Sequence, residues 1–475
     1  MREHILLIHP LGYTADPAKT DIARLANLMP PLGLCSIAAY LERQGYRTAI
    51  IDCFAHPDSD AKILDHVQSR QPEWIGLTCT TNGFLDAIRI VRLVKAAAPQ
   101  TKAVLGGVHI SALQEKILAQ YPEIDCTVVG EGELPLEQLL AGAAPESIRG
   151  LVYRTPEGIR FSGLQGRGIE LDTLPFPAYD KLEGYPHAYQ LPIFNYPRHP
   201  NASALSSRGC PYACSYCDRS VFRRSFKYNS ADYVYRHMQY LKERWGIRHI
   251  NFYDDQFTFH RGRVVELCNR LIAEPLGMTF NCAIRAEHVD PELLALMKRA
   301  GCWMASLGIE TGDPELLAQH RQNPDLEMLA RTIREIHRAG IRVKGLLMLG
   351  LPGESEESVR RSMNYVFSLP IDDFNLAKFT PFPGSPIYQK IHELGEFEED
   401  YAKMDCMNFV FVTKGMTRER LDQLFLEFYR RHFTRPRVLL GYVAMLWKSP
   451  HSWWRFLRNL TSFLRFARSN KRLDG

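Results

Sequence analysis

Short apolar runs alternate with helical patterns in two separate stretches of this chain, and few folds accept that alternation. In the first stretch "HILLIHP" (4–10), "RTAIID" (47–52), "WIGLTCT" (74–80), "KAVLGG" (102–107) and "CTVVGEGE" (126–133) read as buried strands. Between them "LGLCSIAAYLERQG" (32–45) and "FLDAIRIVRLVKAAAP" (84–99) repeat apolar residues every three or four positions, as one helix face does. The expected fold class is α/β, opening with a doubly wound parallel sheet. The alternation resumes at Ser203 with "SALSSR", "HINFYDD" (249–255), "MTFNCAIR" (278–285), "WMASLGIE" (303–310), "VKGLLMLGL" (343–351) and "FNLAKFTPF" (374–382). Six such units are too many for a small open sheet and predict a partial (β/α)6 barrel. Helix starts are marked locally: Asn229 or Ser230 caps one, and the duplicated "DPELLA" at Asp290 and Asp313 reads as two acidic caps followed by proline.

At 475 residues the chain exceeds a single core. The expected division is 1–141 for the first sheet, 142–200 for a connector rich in Gly, Pro and aromatic residues, 201–390 for the barrel and 391–475 for a helical extension. The connector contains a hairpin-like "VYRTPEGIRF" and enough aromatic residues to pack. Apolar residues make up 45% and charged residues 23%, which is ordinary for a globular protein and excludes disorder as the default. No secretory leader follows Met1, and most of the 11 cysteines are scattered through apolar runs (Cys79, Cys126, Cys268, Cys302), so a reducing, cytoplasmic setting is expected.

One group of cysteines is different. "SSRGCPYACSYCDRS" (206–220) brings Cys210, Cys214 and Cys217 together between Gly209 and Asp218, where thiols have no packing rationale. A tetrahedral zinc site wants a fourth ligand, and His199 and His237 lie outside the loop. A four-iron cubane held by three cysteines leaves one iron without a protein ligand, open to a substrate.

Cys-x3-Cys-x2-Cys at the end of a first barrel strand, with Tyr216 just before the third cysteine, resembles the radical S-adenosylmethionine (SAM) superfamily. The resemblance implies a [4Fe-4S] cluster whose open iron takes the amino and carboxylate groups of SAM, and a flavodoxin- or ferredoxin-type electron donor. Reductive cleavage then gives methionine and a 5′-deoxyadenosyl radical. It further implies that Tyr253, Asp254 and Asp255 in "FYDDQF" stand where backbone contacts to the methionine moiety occur and that Arg285 pairs with the SAM carboxylate. Ser306 and Glu310 in "SLGIETG" would meet the ribose, and Gly350 in "GLLMLGLPGES" would lie near the adenine.

The domain ahead of this core resembles the cobalamin-binding domain of the cobalamin-dependent radical SAM class. Thr78 in "GLTCT", Gly106 and Gly107 in "LGGVHIS", and Gly130 at the fifth strand end are then the residues expected to accommodate cobalamin. The Asp-x-His-x-x-Gly motif of other cobalamin enzymes is missing from the first loop, "IHPLGYTADPAK", and His9 is expected to be structural. The combined resemblance implies methylation of an unactivated carbon in a small hydrophobic substrate, a lipid or a tetrapyrrole. Radical oxidation or ring closure, as in anaerobic porphyrin cyclases, is the alternative. Methylthiolation of RNA would need a second cysteine set and an RNA-binding appendage, and a non-catalytic iron-sulfur carrier would need a fourth cluster ligand. The sequence shows none of these.

The formal charge of +5 is local. From Arg431 onward there are ten basic residues and one acidic residue, and without that segment 48 Lys and Arg face 52 Asp and Glu. A nucleic-acid-binding body is therefore not expected. On a helix from Ser449, Trp453, Phe456, Leu457, Leu460, Phe463 and Leu464 share one face edged by Arg455, Arg458 and Arg465. That pattern fits either a helix lying at the inner face of a membrane or a stripe packed on the barrel.

Overall fold

The computed structural model describes residues 3–12, 28–166 and 168–461. Strands β1 (Ile5–His9), β2 (Thr48–Asp52), β3 (Trp74–Thr78), β4 (Lys102–Gly106) and β5 (Cys126–Val128) pair in parallel in the order β2-β1-β3-β4-β5. This is the doubly wound arrangement, whose strand direction of travel reverses between β1 and β3. Ile5, Leu6, Leu7 and Ile8 are all buried, as strands covered by helices on both faces must be. The run expected to continue to Glu133 stops at Val128, and Gly130, at φ +97°, turns the chain away from the sheet. The hairpin of β6 (Leu151–Thr155) and β7 (Gly158–Phe161) then adds antiparallel to β5. The start of the expected connector is thus an edge of the first sheet.

The rest of the connector packs as its aromatic content suggests. Tyr179 is buried and its hydroxyl bonds the Ser203 carbonyl at 3.3 Å. Residues 191–197 close the end of the barrel where its strands begin: the Asn201 side chain accepts from Leu191 N–H at 3.0 Å, Asn281 donates to the Asn195 carbonyl at 2.7 Å, and Lys344 donates to the Asn195 side chain at 2.8 Å.

The second sheet opens with β8 (Asn201–Ala204). A two-residue ribbon, β9 (Ser207–Arg208) with β10 (Lys227–Tyr228), brackets the cysteine loop. Then follow β11 (His249–Phe252), β12 (Thr279–Ile284), β13 (Cys302–Glu310), β14 (Arg342–Leu349) and β15 (Asp373–Lys378). The order β8-β11-β12-β13-β14-β15 is parallel throughout, giving the six-stranded partial barrel. The predicted caps form: Ser230, Asp290 and Asp313 accept from Tyr233, Leu293 and Leu316 N–H respectively.

The extension is not purely helical. An antiparallel pair, β16 (Gly395–Phe397) and β17 (Phe411–Thr413), precedes helices over Arg418–Phe433, Pro436–Lys448 and Pro450–Arg458. In the last of these the expected apolar face is split. Trp453 and Phe456 turn inward onto Phe194, and Arg455, expected at the edge of the face, is buried. Trp454, Leu457 and Leu460 are exposed. Phe463, Leu464 and Arg465, and residues 13–19 of the first loop, lie outside the described residues.

Candidate active site at the domain interface

The cysteine loop is fastened from several directions. Gly209 stands at φ +85°, and a Cβ there would fall 3.0 Å from that of Phe222 and collide with the Ser225 carbonyl, so only glycine fits ahead of Cys210. Further on, Ala213 N–H donates to the Gln322 side chain (2.6 Å), and Ser215 N–H to the His320 carbonyl (2.9 Å). The Ser215 hydroxyl meets His320 Nδ1 (2.8 Å), and His320 Nε2 donates to the Pro352 carbonyl (2.8 Å). Cys214 is buried, while Cys210 and Cys217 are partly exposed. Burial pushes the Cys210 thiol up and the Cys217 thiol to about 12, with Asp255 and Cys214 adding to both. Iron would reverse that preference, because thiolates are what a metal binds.

Among the described residues, no three His, Cys, Asp or Glu side chains gather tightly enough to share one ion. In a cubane each thiolate takes a different iron, which suits three thiols spaced along one loop.

Strand alternation decides which rim residues face inward. On β13, Ala305, Leu307 and Ile309 are buried outward under helices, while Ser306, Gly308 and Glu310 share the inner face. Burial pushes the Glu310 carboxyl up, against Arg321 and Tyr216, which favour its charged form. Beyond β11, Tyr253 and Asp255 line the cavity described below. Asp254 does not. It points to the opposite side, buried, accepting from Ser206 N–H (2.6 Å) and the Ser207 hydroxyl (2.8 Å) beside Arg263. Its side chain is therefore a strut under the start of the cysteine loop.

Arg285 is also occupied by the protein: it donates to Glu287 (2.6 Å) and the Gln322 carbonyl (2.9 Å) and covers the Tyr212 ring at 3.7 Å. Gly350 turns at φ +91° against Phe409, its N–H bonded to Glu354.

A cavity of about 320 Å3 lies between the two sheets' carboxyl ends. Thr78, Gly106, Gly107 and Gly130 line one side, and Leu205, Arg208, Tyr253 and Asp255 the other. A Cβ added at Gly106 would meet nothing nearer than 3.7 Å, and one at Gly33 nothing within 4 Å, so bare backbone faces open space there. Such a surface lets a large flat ligand approach closely. At Gly107, φ +99°, a Cβ would lie 2.7 Å from Cys79 N and 2.8 Å from Cys79 O. Gly107→Ala is expected to cost about 1–3 kcal/mol and to weaken corrinoid retention, read by thermal melting and by visible absorbance after gel filtration.

The same wall carries an ion network that glycine-centred reading of "GEGE" overlooks. Arg208 donates to Glu131 and Glu133, each at 2.7 Å, and to the Ser36 hydroxyl at 3.0 Å. Lys227 reaches the other oxygen of Glu131 at 2.7 Å. Although burial raises the Glu133 carboxyl, Arg208 holds it below its ordinary value. The signal was in the sequence, as two glutamates beside the glycines and an arginine just before Gly-Cys, yet only the fold brings them together.

Two family models match these two halves. Residues 18–140 match the B12 binding domain and residues 205–366 the Radical SAM superfamily. The chain belongs to the cobalamin-binding radical SAM family. It is 26% identical over 445 residues to an uncharacterised methyltransferase of Pyrococcus horikoshii, covering 92% of this chain and 94% of the relative. It is 27% identical over 448 residues to the anaerobic magnesium-protoporphyrin IX monomethyl ester cyclase of Rubrivivax gelatinosus, covering 92% and 78%. Its fold is shared with the solved cobalamin-dependent SAM radical enzyme OxsB, at a TM-score of 0.73 and 15% identity over 96% of this chain and 72% of that one.

The family's cofactors are a [4Fe-4S] cluster, SAM and cobalamin. The donor set and the glycine-floored cavity suit them. His9 is not among the cavity's lining residues; its Nδ1 pairs with Asp52 at 2.8 Å. The histidine that does line it, His237, is held at Nε2 by the Tyr179 hydroxyl at 3.2 Å.

Proposed function

We propose that this chain is a cobalamin-dependent radical SAM C-methylase for a small hydrophobic substrate. Cys210, Cys214 and Cys217 hold the cluster. SAM lies along Tyr253, Asp255, Ser306 and Glu310, and cobalamin along Thr78, Gly106, Gly107 and Gly130. The observation that carries this reading is the shared cavity: the strand ends of the first sheet and the ends of β8 and β11 in the barrel open into one chamber. When bound, the cluster with SAM supplies a hydrogen-abstracting radical and cobalamin supplies a methyl group.

The protein's own part is placement and exclusion of water. Asp255 accepts the Gly209 N–H beside the first cysteine, fixing that turn against the barrel rim. Leu171, Leu174, Leu205, Val221 and Phe222 give the chamber an apolar lining, which favours a lipid-like or tetrapyrrole substrate over a charged one. A ferredoxin- or flavodoxin-type protein supplies the electrons, and the chain works at the inner face of a membrane.

The test is anaerobic reconstitution with cobalamin, SAM carrying a labelled methyl group, and reductant. Corrinoid absorbance and 5′-deoxyadenosine are both expected. Protein that binds no corrinoid would remove methylation from consideration. The likeness to a ring-forming cyclase favours one second reading, radical oxidation, which predicts deoxyadenosine with no label in the product.

A further inference from the structure

We infer that the last two helices form an anchor that holds the closed end of the barrel against an anionic bilayer, with the catalytic rim facing away. This deepens the membrane attachment proposed above and does not depend on methyl transfer.

The inner side of this pair is fixed to the barrel plug. Arg455 donates to the Leu191 carbonyl (2.7 Å) and the Tyr196 hydroxyl (3.0 Å), Ser449 to the Tyr196 carbonyl (2.6 Å), and Phe194 N–H to Ser452 (3.1 Å). Arg342, at the start of β14, reaches Met445 from the same end at 3.5 Å. The outer side is apolar and open. Trp447 is 78% exposed, Leu440 69%, Leu457 60%, Trp454 54%, Leu439 52% and Val443 48%. A contiguous apolar face of this kind marks a binding surface rather than ordinary scatter.

Charge selects the occupant. Arg437, Lys448 and Arg458 are exposed around the face, and residues 436–458 contain no acidic side chain. Two copies meeting through it would set like charges together in a self-complementary contact. An anionic headgroup layer instead offers opposite charge to the cations and an interface suited to the indoles. No helix among the described residues is long and apolar enough to cross a membrane, so the pair would lie along the surface.

The geometry makes this an anchor and not a substrate port. The plug sits where the strands begin and the cysteines where they end. β14, with eight residues rising roughly 3.3 Å each, spans about 25 Å between those levels. Substrate therefore enters away from the docked face, and attachment and SAM cleavage are separable.

The experiment is co-sedimentation of the full chain with phosphatidylcholine vesicles, with and without phosphatidylglycerol. Phosphatidylglycerol is expected to tighten binding about tenfold or more, and the triple variant Leu440→Ser, Trp447→Ser, Trp454→Ser to lose that binding by a similar factor. The variant should melt like the parent and form deoxyadenosine at the parental rate without vesicles. A parent indifferent to phosphatidylglycerol, or a variant that binds equally well, overturns the proposal. So does a parental dimer that the variant turns monomeric by light scattering, which would assign the face to a second copy. Vesicle binding is read without turnover, so absent deoxyadenosine in the parent counts against the catalytic reading alone.

Discussion

Cys214→Ala is expected to give a folded protein that cannot retain a cluster and makes 5′-deoxyadenosine only at background. Three thiols on one loop can serve three irons and leave the fourth for SAM; with two, a second iron loses its protein ligand and the cubane is no longer held. The fold should survive, because the loop is fastened by its neighbours. Ser215 is bonded through both its N–H and its hydroxyl to His320, and Ile387 N–H donates to the Ser215 carbonyl at 3.1 Å. Cys268→Ala is the control: that thiol is buried in a helix away from the loop, so its loss costs about 1 kcal/mol of packing and no cluster absorbance. Iron content, visible absorbance and deoxyadenosine are the readouts. Retained SAM cleavage in Cys214→Ala would assign the ligands elsewhere.

Most of the architecture was legible because each layer repeats a simple period. Parallel strands buried on both faces are continuous apolar runs, and each of the six barrel strands overlaps a segment read from sequence, although β8 begins two residues before Ser203. Strand ends were less legible. Gly130 ends β5 early by a change in φ, and apolarity does not report φ. At the rim, sequence order could place Tyr253, Asp254 and Asp255 together, but only alternation of side chains separates the two that face the cavity from the one that props up Ser206 and Ser207. Arg285 illustrates a different limit. A guanidinium at a strand end suits a carboxylate, yet Glu287 two residues later and the Gln322 carbonyl compete for it locally. The tail shows a third: its apolar stripe was legible, but which half packs depends on Phe194, more than 250 positions away in sequence.

Arg208→Ala is expected to loosen the first domain from the barrel while leaving the cluster in place. Arg208 belongs to the ribbon that opens the cysteine loop, and Glu131 and Glu133 to the turn after β5, so their ion pairs join the two sides of the cofactor cavity. Removing the guanidinium leaves Glu131 its Lys227 partner, but leaves Glu133 without a cation, with the Ser36 hydroxyl and its own backbone N–H. A buried carboxylate stripped of its cation costs on the order of 3 kcal/mol or more. The variant should lose corrinoid on gel filtration, and cleave SAM with less labelled methyl reaching product.

The pH dependence separates this from general destabilisation. In the parent, the Glu133 carboxyl is held below its ordinary value, chiefly by Arg208 against burial. Its contribution is therefore complete above the ordinary value of 4.5 and is lost as pH falls through the lowered one. In the variant, burial acts without that opposition and raises the carboxyl above 4.5, so folding favours its protonated form. The variant's deficit should be largest at neutral pH and shrink on acidification, as melting temperatures across that range would show. Arg208→Lys, which keeps a charge but reaches one glutamate at a time, should recover part of the docking. A deficit independent of pH, or full corrinoid retention in Arg208→Ala, would mean that the Arg208 ion pairs are not what holds the two domains together.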